Sequence, residues 1–310
     1  MFTLLWKRIL WAIPTLLAVS FITFFLGYLA PGSPIDIMLG QHSDRARAKQ
    51  LEHEYGLDRP ALVQYGSFVW GAVRGDLGKS YSNGDRPVTQ MIAEKFPTTA
   101  FLAMMSMAVA ILLGIPAGII AALKHNRWID RATMGLVLLL VSIPPFVLAP
   151  LLMLFFSIKL NWLPSSGWST PWHYILPTLV LGARPSVLLA RFMRSSMLDV
   201  LRQDYIRTAL AKGLSPTRVI MRHALKNAFL PVLTAIGNTF GLLLSGSFVV
   251  ETIFTVPGIG YESIQSILRR DYPVIQGVAL LVAAIYLLVN LAVDLLYGVF
   301  DPRVRYEEAR

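Results

Sequence analysis

The segment Gly75–Ser80, GDLGKS, has the composition of a phosphate-cradling loop, in which backbone N–H groups and a lysine receive an anion. The spacing fails, because that loop requires a glycine five residues before Gly78 and Val73 stands there. No strand-like run precedes the segment either, so it reads as a loop turn. The five histidines, at 42, 53, 125, 173 and 223, include no i, i+4 pair and no carboxylate at metal-ligand spacing. With no cysteine there is neither disulfide nor thiolate chemistry. Neither a nucleophile elbow nor an HExxH pattern occurs, so the chain is read as a non-enzyme with no cofactor of its own.

The remaining candidates are charges in unusual places, and they require elements to hold them. Of the 310 residues 55% are hydrophobic and 15% charged, against about 25% charged in a soluble domain. The deficit falls in apolar runs long enough to cross about 30 Å of hydrocarbon as helices. Six spans are expected, near 9–30, 98–123, 132–158, 174–198, 229–254 and 274–300. The first run follows Lys7 and Arg8 and lacks a small-residue cleavage site, so it is read as a retained span rather than a signal peptide. The net charge of +10 comes from cations at span ends, which is how membrane proteins set their orientation. Without an aromatic-interleaved basic patch, no nucleic-acid partner is implied. Placing Lys7, Arg8, Lys124, Arg127, Arg131, the 202–226 cations and the C-terminal arginines inside puts both termini in the cytoplasm.

Arg184 then lies within the fourth span and Glu251 near the outer end of the fifth. Ionisable groups at such depth face a bundle interior or a water path, so both are candidates for a translocation path or gate. Arg191 and Asp294 sit nearer the cytoplasmic face, where snorkelling or mutual pairing accounts for them. Pro14, Pro116, Pro144, Pro145, Pro150, Pro177 and Pro185 interrupt the spans, which suits a bundle with an internal cavity.

The stretch from Asp204 to Pro231 is basic and falls between two spans. It reads as helix, tight stop, helix. Gly213 suits the left-handed residue that ends the first helix, and Ser215 is expected to cap the second, with Pro216 at its first position. Arg218, Arg222 and Lys226 at i, i+4 and i+8 would form one charged stripe. Such an elbow on the cytoplasmic side implies a cytoplasmic partner.

DYIRTALAKGLSP at 204–216 and RHALKNAFLPV at 222–232 resemble the cytoplasmic signature of permeases from the dipeptide, oligopeptide and nickel family of ABC importers. KRILWAIPTLL at 7–17, PGSP at 31–34, YGLDRP at 55–60, GDLGKS, ETIFTVPGIG at 251–260, RRDYPVIQG at 269–277 and NLAVDLLYGVFDPRVRY at 290–306 resemble it too. Against the wider importer pattern EAA-x3-G-x9-I-x-LP, Arg207 and Thr208 replace Glu and Ala, His223 replaces Ile and Lys226 replaces Pro.

The resemblance implies an all-α membrane protein with the type I importer permease fold, in a bacterial or archaeal cell membrane. It divides the chain into 1–30, an extracytoplasmic region 31–97, a permease core 98–300 with a coupling segment at 199–228, and a tail 301–310. It implies a second, homologous permease subunit, two cytoplasmic ATPase subunits that hold ATP and magnesium, an extracytoplasmic substrate-binding protein and membrane lipid. ATPase coupling would fall to Tyr205, Arg207, Ala209, Ala211, Lys212, Gly213, Leu214, Ser215, Pro216 and Thr217. Dipeptides lead the expected substrates and oligopeptides follow. A secondary transporter or channel would instead need a coupling-ion site and internal repeats, and neither is visible.

Overall fold

The computed structural model describes residues 2–30, 32, 34–39 and 45–300. Helices α1 (Phe2–Leu29), α2 (Pro34–Leu39), α3 (Arg45–Glu54) and α4 (Ala61–Val73) precede the long α5 (Val88–Leu123). Next come α6 (Trp128–Ser142) and α7 (Pro145–Leu152), the latter running on as a π-wound turn over Met153–Lys159. Then follow α8 (Trp172–Leu201), α9 (Asp204–Ala211) and α10 (Pro216–Arg218), a π-wound stretch Val219–Ala224, and α11 (Leu225–Leu244). α12 (Phe248–Ile253), α13 (Ile259–Leu268) and α14 (Tyr272–Phe300) complete the described chain. The expected tail 301–310 lies outside the described residues, as do Pro31 and Ser33 of the PGSP turn and the side chain of Asp294.

Among the described residues five helices are long and apolar enough to span a membrane, and a bent pair counted as one span makes a sixth. That pair is the expected third span, and at the expected interruption it turns through 101° between α6 and α7. The cause is local. Ile143 precedes a proline and is held extended at φ −90°, ψ 116°, and neither Pro144 nor Pro145 has an N–H to carry the ladder on. The fifth span is corrected. It is helical from Pro216 and stops at Leu244, where Ser245 and Gly246 (φ +98°) break the chain, so Glu251 lies on the separate α12. By contrast Pro14, Pro150, Pro177, Pro185 and Pro231 sit inside helices without ending them.

The chain divides into two compact units, residues 2–99 with 257–287, and residues 100–256 with 288 onward. In the larger unit α8 is the hub. Its Leu189, Met193 and Met197, all fully buried, pack with Ala103, Met107 and Ala110 of α5 and with Ala228, Val232 and Ala235 of α11. Glycines bring α5 against α8. A Cβ on Gly118 would stand 2.5 Å from the Ala190 carbonyl oxygen, and one on Gly114 2.4 Å from that of Ser186. A groove of about 390 Å³, almost wholly apolar and lined by Met104, Met107, Leu230, Thr234 and Phe240, opens between α5 and α11.

In the smaller unit Ser80, the last residue of the segment that resembled a phosphate loop, and the two residues after it hold an anion, the chain's own Asp271. This carboxylate is fully buried. It accepts bonds from the hydroxyls of Ser80 (2.5 Å) and Ser82 (2.7 Å) and from the N–H groups of Tyr81 (3.0 Å) and Ser82 (3.1 Å). A buried charge needs such a set of donors to offset its lost hydration. The latch joins residues 80–82 to Asp271 of the segment 257–287 within this unit. Val88 and Met91 of α5 then pack on Ile259, Val274 and Val278.

Candidate functional site

α9 owes its place to Ile206 and Ala209, which are buried in the cluster centred on Met193 and Met197 of α8. Its end is a Schellman motif. Gly213 has φ +80°, its N–H donates to the Leu210 carbonyl at 2.9 Å, and Leu214 N–H reaches the Ala209 carbonyl at 3.4 Å. Leu214, half-buried, packs into the same cluster and so closes the turn on the apolar side. Pro216 stands at the first position of α10 as its missing N–H allows. The Ser215 hydroxyl makes no capping bond, contrary to expectation, and only its carbonyl serves, accepting from Val219 N–H at 3.0 Å.

Between these anchors the chain turns outward. Ala211, Lys212, Gly213, Ser215, Pro216, Thr217 and Arg218 are all exposed, with Leu210 beside them 45% exposed. Tyr205 is tied back by Asn227, whose amide donates to its hydroxyl at 2.8 Å. Arg207 reaches only Asp204, at 3.8 Å and in the open, a pair of little energetic weight. Arg218, Arg222 and Lys226 are exposed as expected, but the π-winding of Val219–Ala224 adds a residue to the turn. Four residues still make close to one turn in such winding, so the three charges stay near one face. The result is a rigid, basic, protruding corner with open space where a Gly213 Cβ would stand.

The model of the binding-protein-dependent transport system inner membrane component matches residues 114–306, and its N-terminal companion matches 1–103. The chain belongs to this permease family. It is 44% identical over 301 residues to proteins described as glutathione transport system permease protein GsiC, from Escherichia coli K12 and from Pectobacterium atrosepticum. The matches cover 97% of this chain and 98% of each relative. Among solved structures, an inward-facing MetNI methionine ABC transporter chain superposes with a TM-score of 0.59 at 17% identity, over 68% of this chain and 97% of that one. A chain of an amino acid ABC transporter solved with histidines gives 0.52 at 19%, over 69% and 94%. At such identities the likeness is one of fold, the type I importer permease fold.

The two charges expected at a path or gate differ sharply in burial in this permease. Glu251 is completely enclosed, in a core with Val250, Phe254 and Val256. Arg184 is exposed on α8, 12 residues after the helix begins at Trp172, or about 18 Å along it. At that depth it presents a guanidinium at the surface of the isolated subunit. Arg191 is exposed on the same helix.

Sequence reasoning passed over the best-formed charge cluster. Asp130, 3% exposed at the start of α6, receives Arg194 of α8 in a two-pronged bond, Nε to Oδ1 at 2.7 Å and Nη2 to Oδ2 at 2.8 Å. Asn126 N–H adds a third bond at 2.9 Å, and His125 Nδ1 lies 3.1 Å from Arg194 Nη2. One signal was available. Asp130 is the lone carboxylate among Lys124, Arg127 and Arg131, and Arg194 is a cation in an apolar helix that needs a counter-charge.

Proposed function

We propose that this permease subunit works in an ATP-driven importer for small peptides, with ATP hydrolysed by separate cytoplasmic subunits that seat on the Gly213 corner. The observation that carries the reading is the corner itself. It is a Schellman turn anchored by buried Ile206, Ala209 and Leu214, with every residue from Ser215 to Arg218 turned outward. A surface built so stiffly, basic and projecting from a membrane protein, suits a groove on a partner. In this reading the corner and both termini are cytoplasmic, and Tyr205, Arg207, Ala209, Ala211, Lys212, Leu214, Pro216 and Thr217 support or form the contact. Ala209 and Leu214 act from beneath, while the exposed residues touch.

Drawing two ATPases together on ATP binding would move the corners and rock the helix bundles between inward- and outward-facing arrangements. Near-complete reversal of such an equilibrium takes about 5.5 kcal/mol of differential binding. The exposed Arg184 supports a second permease subunit or a watered path against α8, since hydrocarbon alone would leave the charge uncompensated. The GsiC relatives, named for glutathione, support a peptide-sized substrate, glutathione or another short peptide, brought by an extracytoplasmic binding protein. Purification in mild detergent tests the assembly. Two ATPase subunits and a second permease should accompany the tagged chain, and mass spectrometry of the bound protein's ligand should find a short peptide. A chain that purifies alone and carries solute without ATP would make it a secondary transporter or channel instead.

A further inference from the structure

The link between α5 and α6, residues 124–127, is short and strongly turned, with Asn126 held at φ +60°. Lys124 donates its N–H to Ile120 and Arg127 to Lys124, so the turn continues α5 without slack. Its far end is clamped to α8 by the Asp130–Arg194 pair. A two-pronged guanidinium–carboxylate contact fixes orientation as well as distance, which a point charge does not. His125 completes the clamp. Its Nδ1 lies 3.1 Å from Arg194 Nη2 and 3.4 Å from Asp130 Oδ2, between the two members of the pair. The link and the start of α6 are thus both held by one side chain of α8.

Flanking residues of α8 hold the corner. Met193 and Met197 bury against Ile206, Ala209, Val219 and Ala224, the cluster that also takes in Ala122 of α5. The Ser196 hydroxyl donates to the Ala228 carbonyl of α11 at 2.8 Å. Within one turn, then, α8 grips the corner and α11 through residues 193, 196 and 197, and the α5–α6 link through residue 194. At Gly118 the backbones of α5 and α8 meet so closely that a Cβ would stand 2.5 Å from the Ala190 carbonyl oxygen and 3.1 Å from the Arg194 nitrogen.

We propose that Arg194 and Asp130 are positioning residues for transport. They lock the α5–α6 link to α8, so that a displacement entering at the Gly213 corner moves α5, α6 and α8 as one body instead of bending α8 alone. The inference rests on the corner being the ATPase contact. Without the clamp, ATP-driven motion would be absorbed locally and less of it would reach the helices beyond α8.

The test uses the whole complex with its ATPases and binding protein, reconstituted in lipid. Arg194→Lys keeps the charge and loses the second prong, Asp130→Asn keeps the shape and loses the charge, and the double variant Asp130→Arg/Arg194→Asp exchanges the partners. The readout is peptide taken up per ATP hydrolysed, beside the amount of ATPase retained. The single variants should retain their ATPases while uptake per ATP falls about 2–30-fold, the range over which residues along a coupling route act. The exchanged pair should recover part of the loss. The proposal is overturned if uptake per ATP stays at the wild-type ratio, or if uptake and hydrolysis fall in step with the quantity of folded complex. If Asp130→Asn does not assemble, Arg194→Lys decides alone. Failure of the underlying reading looks different, because Gly213→Asp would then leave ATPase retention untouched whatever the clamp variants do.

Discussion

Replacing Gly213 separates two ways in which the corner could matter. Its φ of +80° lies in the left-handed region, and a Cβ built there meets nothing within 4 Å. Alanine therefore introduces no clash within the chain, and its whole cost is the backbone's, about 1–2 kcal/mol for an L-residue in that conformation. That lowers the population of the native turn by about 5–30-fold. The strain falls on the bonds from Gly213 to Leu210 (2.9 Å) and from Leu214 to Ala209 (3.4 Å), not on the buried core beneath. Asparagine tolerates the left-handed region better than alanine but carries a larger side chain. If ATPase docking needs the shape of the turn, retention in a detergent pull-down should rank Gly, Asn, Ala. If a partner groove fills the open space at the Cβ, Asn should be worse than Ala. In both cases the melting temperature of the permease alone should fall by only a few degrees. Wild-type retention and uptake in both variants would refute the docking argument, and so would losses that track unfolding of the isolated chain.

Four further outcomes follow from particular contacts. Asp271→Asn turns an amide N–H₂ toward donors that need an acceptor, with each hydrogen bond to the charged group contributing about 1.5–3 kcal/mol; protease should then cut between residues 74 and 87, and a protected segment would contradict the latch. Burial, with Asp271 nearby, pushes the Tyr81 phenol up to about 12. Its neutral form therefore stabilises the fold fully below the ordinary value of about 10 and ceases to as pH rises through about 12; Tyr81→Phe should flatten the alkaline decline in melting temperature. Arg184→Ala should lower uptake in a fully assembled complex, and normal rates there would remove it from the path or its lining. Ser215→Ala should change stability by less than about 0.5 kcal/mol, as for a surface site, where loss of a working cap would cost about 0.5–2.

Short-range chemistry made much of this chain legible before any coordinates. Gly213 and Pro216 announced the turn because a missing Cβ and a missing N–H have only local uses, and the observed φ of +80° agrees. Pro144 and Pro145 announced an interruption, although its angle of 101° depends on what the two halves pack against. Ser215 shows the limit of such reading, since a side chain suited to capping need not turn inward. The π-winding at Val219–Ala224 was illegible because winding of that kind is set by the helix's packing on α8 rather than by residue type.

Charges separated the two sources of information most sharply. From the sequence alone one could place cations at span ends, find Arg184 within an apolar run and reject GDLGKS as a nucleotide loop, since each judgement needs only composition and spacing. What the sequence could not supply was the partner of each charge. Ser80 and Asp271 are 191 positions apart, and Asp130 and Arg194 are 64 apart. A hydrogen bond senses distances of about 3 Å in space and nothing of separation along the chain. Only the packed helices bring such pairs together, and so only tertiary structure decided that Ser80, Tyr81 and Ser82 hold an internal carboxylate and that α8 is clamped on two sides.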